Sequence, residues 1–230
     1  MNNLFVSLLP FEDDSKSGLP VHIYRIYTEE FNPKQPMKPV YSTEWLFYMP
    51  KRDGVPVPEN LRLPPNLFMV CKGLRKITFD FYTQEAGEWV VSADFLNFLQ
   101  TNNLLKEHYE ISKLTILTTT GKNLGEKPYF LLRLFKYDNE LVDWENCPAI
   151  DADRKTGINF KFYPDLSFHS GVKVPEMLFI NQIAFKHSFI VNDNIKSLME
   201  KENFVGFDFY TLPDFAEESQ KRIDYFKPKT

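Results

Sequence analysis

The sequence predicts an α+β fold: a mixed, mainly antiparallel, Phe-rich sheet carrying two to four helices. Three observations lead there. The stretches "RKITFDFY", "INFKFY" and "VGFDFY" alternate apolar with polar residues at a period of two, the pattern of half-buried strands. Helical spacing is confined to a few short segments, and two of these follow one phrase, "WVVSADFLNFL" from Trp89 and "FIVNDNIKSLM" from Phe189. Phe is also frequent, 22 of 230 residues, and large rings suit a half-buried pleated surface.

A chain of this length buries roughly 70% or more of its extended surface, enough for one large domain or a domain with a smaller lobe. Ten of the 16 prolines fall in the first 65 residues, in "FNPKQPMKPV" and "MPKRDGVPVPENLRLPPN" among others. Each proline ring fixes φ and removes a backbone donor, so these segments read as extended loops between short strands such as "VHIYRIY" and "EWLFYM". Residues 1–65 therefore form an irregular N-terminal lobe or an arm wrapped around the rest, and residues 66–230 form the α+β portion. Whether the whole is one domain is left open by the sequence.

From Leu67 onward sheet dominates. Period two places Ile77, Phe79 and Phe81 on one face of a strand, and likewise Ile158, Phe160 and Phe162, and Val205, Phe207 and Phe209. "KLTILTTT" and "YFLLRLF" are two further strands, and the "GKNLGEKP" between them is a hairpin loop. "MLFINQIAF" and "SFIV" add more. In the repeated phrase Ser92 stands where a side-chain oxygen caps a helix, with Phe95, Phe98 and Leu99 following at i, i+3, i+4. Asn192 stands likewise before Ile195, Leu198 and Met199. Asp94 and Asp193 sit in the first turns, at the positive end of each helix dipole. "PDFAEESQKRIDYF" reads as a third helix. Gly206 opens the last strand, where a residue without Cβ permits sharp reversal or close packing.

Composition excludes several classes. A formal charge of −4 with acids and bases well mixed argues against a broad nucleic-acid surface. Cys71 and Cys147 are the only cysteines, without CxxC spacing, and read as unpaired thiols of a reducing compartment. The start "MNNLFVSLLPFEDD" has no basic residue before its apolar run, unlike a signal peptide, and no run reaches the roughly 18 apolar residues of a membrane span. These features place the protein in the cytoplasm, with no membrane partner.

Catalytic readings fail on residue type. Asp151 and Asp153 in "IDADRKTG" have the x-D-x-D spacing of an aspartate nucleophile and its acid/base partner. A buried apolar strand should precede them, but "WENCPA" does, and Lys155 occupies the place of the required Thr or Val. As a calcium loop it fails too, with Lys155 replacing an oxygen ligand and Phe162 the bidentate Glu. "TTTGKNLG" lacks the phosphate-loop glycine, where Ile116 stands, and the Ser or Thr, where Asn123 stands. His22, His108, His169 and His187 have no metal-ligand spacing, so neither metal nor cofactor is expected. Asp80 and Asp208, each between phenylalanines, fall on the polar faces of their strands. No catalytic residue is assigned.

A binding surface remains. From Asp138 to Asp153 lie six acids, Asp138, Glu140, Asp143, Glu145, Asp151 and Asp153, with no Lys or Arg among them and Trp144 in the middle. An acidic rim around an aromatic anchor attracts and holds a basic protein. The competing reading is a solvated loop whose Trp turns inward to the core.

Taken in order, "WVVSADFLNFL", "YFLLRLFKYDNELVDWENC" and "PEMLFINQIAFKHSFIVNDNIKSLMEKENFVGFDFYTLPDF" resemble the immunity proteins of bacterial polymorphic toxin systems. The matching positions are Val90–Ser92, Tyr129–Arg133 with Val142–Trp144, Leu178–Phe179, Ile190–Asp193 and Gly206–Phe209. The likeness spans about residues 65–215 and leaves out the Pro-rich segment. The resemblance implies stoichiometric, non-catalytic binding of a cognate toxin, a protein partner, in the bacterial cytosol. A structural or regulatory interaction module, and a hydrolase with a dispersed site, are the alternative readings.

Overall fold

The computed structural model describes residues 3–10, 25–35, 45, 48, 57–83, 89–105, 109–152 and 161–225. In chain order the strands are β1 (Leu4–Leu8), β2 (Arg25–Thr28), β3 (Asn66–Cys71), β4 (Phe81–Tyr82), β5 (Trp89–Ser92), β6 (Tyr109–Thr118) and β7 (Tyr129–Leu134). There follow β8 (Ile150–Asp151), β9 (Lys161–Phe162), β10 (Met177–Leu178), β11 (Ile190–Asn192) and β12 (Asp208–Thr211). The helices are α1 (Ala93–Thr101), α2 (Asp193–Glu202) and α3 (Leu212–Tyr225). The chain divides into two compact units. One comprises Leu9–Lys136 with Phe204–Phe207; the other comprises Met1–Leu8, Tyr137–Asn203 and Asp208–Thr230. This is an α+β fold with mixed, mainly antiparallel sheets, as the alternating patterns predict.

The first unit holds a six-stranded sheet in the order β2-β3-β6-β7-β5-β4. Its neighbours are antiparallel except for β3 and β6, which run parallel from Asn66↔Lys113 to Cys71↔Thr118. That pairing explains why "NLFMVC" shows little alternation: Leu67, Met69, Val70 and Cys71 are all buried, so both faces of the strand are covered. β6 and β7 form the predicted hairpin. The core gathers Leu67, Met69, Ile77, Phe79, Leu114 and Tyr129.

Arg133 is buried beside this core, and its guanidinium is fully engaged. Nη1 donates to the Trp45 carbonyl at 2.5 Å, Nη2 to the Leu61 carbonyl at 2.8 Å, and Nε to Glu110 Oε2 at 3.1 Å. Glu110 also closes an ion pair with it. A buried cation is tolerable only when paired and hydrogen-bonded, and here the acceptors include two carbonyls of the Pro-rich stretch. Most of "EWLFYM" lies outside the described residues.

The repeated phrase does what its spacing predicts. Ser92 Oγ accepts a hydrogen bond from the Phe95 amide at 3.2 Å, and Asn192 Oδ1 accepts one from Ile195 at 2.9 Å. Each cap satisfies a donor that the first helical turn leaves over. α1 buries Phe95, Leu96, Phe98 and Leu99 and packs on β5 and β7. α2 buries Ile195 and Met199, packs on β11 and β1, and ends at Asn203 in the left-handed region.

The second unit holds an all-antiparallel sheet ordered β10-β11-β1-β12. β1 is an interior strand, a role that "LFVSL" does not announce locally. Phe5 pairs with Val191 on one side and Thr211 on the other. Val6, Leu178, Phe185, Ile190, Leu212 and Phe215 form the core. The third predicted helix is present as α3. Thr211 Oγ1 caps it by accepting from the Asp214 amide at 3.3 Å, while donating to Asp214 Oδ2 at 2.6 Å.

Three predicted strands are shorter than their patterns; in "MLFINQIAF" only Met177–Leu178 is a strand. In "RKITFDFY" only Phe81–Tyr82 is a strand, and Ile77 makes an isolated bridge to Gly125, although Ile77, Phe79 and Phe81 are all buried as predicted. "VGFDFY" is divided, with Val205–Phe207 in the first unit and β12 in the second. The break falls next to Gly206, whose φ of +120° belongs to glycine. Ile158 and Phe160 lie outside the described residues; Phe162 is buried in β9.

Candidate partner-binding surface

The acidic segment is held by backbone pairing and does not hang free. The Asp143 amide donates to the Ser167 carbonyl at 2.9 Å and the His169 amide to Leu141 at 3.1 Å. A 3₁₀ turn at Asn139–Leu141 precedes them. Asn139 Oδ1 accepts from the Asn181 amide at 2.9 Å. This framework presents Glu140 and Glu145 to solvent, and Asp151 is exposed on β8.

Asp143 is half-buried. Its carboxylate accepts from Asn146 Nδ2 at 2.8 Å and from the Asn146 amide at 3.3 Å, and His169 Nδ1 stands 4.0 Å away. The Asn146 side-chain hydrogen bond above all holds its pKa below the ordinary carboxylate value, so it stays ionised at neutral pH.

Asp138 corrects the sequence reading. It is 1% exposed, and its Oδ2 accepts from the Phe179 amide at 2.9 Å while its own amide donates to the Phe179 carbonyl at 2.7 Å. A carboxylate committed to a buried amide is a tie within the fold, not part of a rim. Trp144 is half-buried, edge-on to Tyr163 at 5.0 Å between centroids, with Nε1 donating to the Asn139 carbonyl at 3.1 Å. Its ring packs against the unit's core. Asp153 lies outside the described residues.

Asp80 is a second correction. The alternation of "FDF" places it on a polar face, yet it is 4% exposed. Its Oδ1 accepts from Ser92 Oγ at 2.6 Å and closes an ion pair with Lys127; its Oδ2 accepts from the Val205 amide at 2.9 Å. Backbone bonds reinforce this, the Ser92 amide donating to Asp80 O at 2.8 Å and Asp80 N to Val205 O at 2.5 Å. One carboxylate thus joins the α1 cap, the β6–β7 loop and the 204–207 segment. A Cβ on Gly206 would stand 2.2 Å from the Phe81 carbonyl oxygen, so this close approach requires glycine. Asp208, by contrast, is exposed as predicted.

Other titratable groups are placed for packing. Cys71 and Cys147 are free and buried, and burial pushes the Cys71 thiol up to about 12. Burial lowers His187 to about 4. His22 and His108 lie outside the described residues, and among the described residues no cluster of His, Cys, Asp or Glu fits a metal ion. Among the same residues no helix is long and apolar enough to cross a membrane.

In this α+β protein buried polar side chains fasten segments to one another, while Glu140, Glu145 and Asp151 are exposed on the surface. The chain belongs to the Immunity protein 43 family, whose sequence model matches residues 11–226. No curated protein matches it. The match extends the resemblance read from the sequence into the Pro-rich segment, beyond the 65–215 span. Membership carries a toxin-neutralising role in general terms, with a protein toxin as partner. The residues that carried the resemblance are the joints just described: Ser92 on Asp80, Tyr129 donating to the Phe79 carbonyl at 2.8 Å, Arg133, Trp144, Asn192 and Gly206. Most of these positions serve as caps and ties within the fold.

Proposed function

We propose that this protein binds one cognate toxin of a bacterial polymorphic toxin system and neutralises it by occlusion, without catalysis, in the cytoplasm. The family match over residues 11–226 carries this reading. We further propose that the toxin is basic, a nuclease, because enzymes that grip phosphate backbones present Lys and Arg, and a carboxylate-bearing inhibitor covers such a surface favourably. Glu140, Asp143, Glu145 and Asp151, with Trp144 between them, are the residues proposed to meet it; Asp153 belongs to the same stretch of sequence.

Co-expression with the toxin encoded beside this chain is the test. Growth is expected to be restored by this protein, and lethality that persists despite soluble expression refutes the reading. Asp143→Lys with Glu145→Lys then tests the loop: association is expected to slow, and an unchanged affinity removes the loop from the interface.

A further inference from the structure

The six-stranded sheet ends on β4, and the outer side of that strand is taken by a segment from far along the chain. The Val205 carbonyl accepts from the Asp80 amide at 2.5 Å and from the Phe81 amide at 3.3 Å, and the Val205 amide donates to Asp80 Oδ2 at 2.9 Å. On either side of Val205 a ring enters a recess between β4 and α1. Phe204 stands edge-on to Phe95 at 5.0 Å and to Phe98 at 5.3 Å between centroids. Phe207 meets Phe81 at 5.9 Å and Phe95 at 5.8 Å. Such ring pairs add to the stabilisation that burial alone gives.

The chain around this plug has no spare residue. It leaves the first unit at Lys136, runs through the second as far as Asn203, returns for Phe204–Phe207, and leaves again at Asp208. Asn203 is itself the left-handed end of α2, its amide donating to the Glu200 carbonyl at 3.2 Å and its side chain to the Lys201 carbonyl at 3.0 Å. Asp208 is the first residue of β12 and pairs with Leu8. Nothing between the plug and either element can absorb a backbone rotation, so lifting the two rings out of the recess turns the cap of α2 and the first pair of β12.

We propose that Phe204–Phe207 is a clasp, a conformational device that makes release from the β4–α1 recess and loosening of β12 and of the end of α2 one event. Coupling of this kind is reciprocal, so whatever steadies β12 also steadies the recess. The clasp is independent of the toxin reading.

Native-state amide exchange of the full chain tests it. Wild type and Phe204→Ala are compared, and both again with a flexible Gly-Ser-Gly-Ser insertion between Phe207 and Asp208. Phe204→Leu replaces Phe204→Ala if the smaller side chain prevents folding. Without the insertion, the substitution is expected to quicken exchange about ten-fold or more at the Val205 amide, at the Asn203 amide and at the β12 amides bonded to β1. The Asp143 amide, bonded to Ser167 within the second unit, is expected to exchange as in wild type. With the insertion, the effect at Val205 persists and the effect at β12 disappears. Exchange at β12 that ignores the substitution, or that follows it with the insertion in place, overturns the clasp. Equal quickening at Asp143 marks unfolding of the whole chain and overturns it as well.

Discussion

Replacing Asp80 by Ala should destabilise the six-stranded unit more than any exposed carboxylate substitution. The change leaves the Ser92 hydroxyl and the Val205 amide without their buried acceptor and removes the partner of Lys127. An orphaned buried donor costs about 1–3 kcal/mol. Lys127 is 26% exposed and regains water, so the full cost of breaking a buried ion pair does not apply. The sum is about 3 kcal/mol. Asp80→Asn keeps one acceptor and the shape, and should cost about half as much. Urea unfolding reads this by tryptophan emission in a Trp144→Phe background, where Trp45 and Trp89 report the six-stranded unit alone. Exchange at the Phe95 and Val205 amides should quicken in parallel. Combining Asp80→Ala with Lys127→Met should cost less than the two single changes added, because they share one interaction. An Asp80→Ala loss below about 0.5 kcal/mol would show that this carboxylate does not hold its segments together.

Gly206→Ala should cost about 2–3 kcal/mol, read by the same unfolding curve, because a φ of +120° strains any side chain and its Cβ meets the Phe81 carbonyl. The two caps should separate: Asn192→Ala loses about 1 kcal/mol, whereas Ser92→Ala loses about 2 kcal/mol because its hydroxyl also donates to Asp80. Equal losses would contradict the double role of Ser92. His187 gives a pH dependence. The unfolded chain takes up its proton near 6.5 and the folded chain only near 4, so stability falls as pH drops through that interval and levels off below it. The loss is at most about 3 kcal/mol, reduced by partial exposure. The difference between wild type and His187→Gln, followed by urea unfolding from pH 7 to pH 4, should shrink along the same interval if this assignment holds.

The sequence by itself determined the fold class and both capped helices, because alternation, helical spacing and a cap are properties of neighbouring residues. It determined the β6–β7 hairpin for the same reason, since eight residues with two glycines and a proline specify their own reversal. It also carried enough pattern in Ser92, Tyr129 and Gly206 to point to the family. Local pattern could not place β1, whose partners lie near positions 190 and 210, nor the parallel β3–β6 pairing. It could not distinguish Asp80 and Asp138 from surface acids either. A carboxylate is stable when buried only if donors converge on it, and those donors, Val205 for one and Phe179 for the other, come from 125 and 41 residues along the chain.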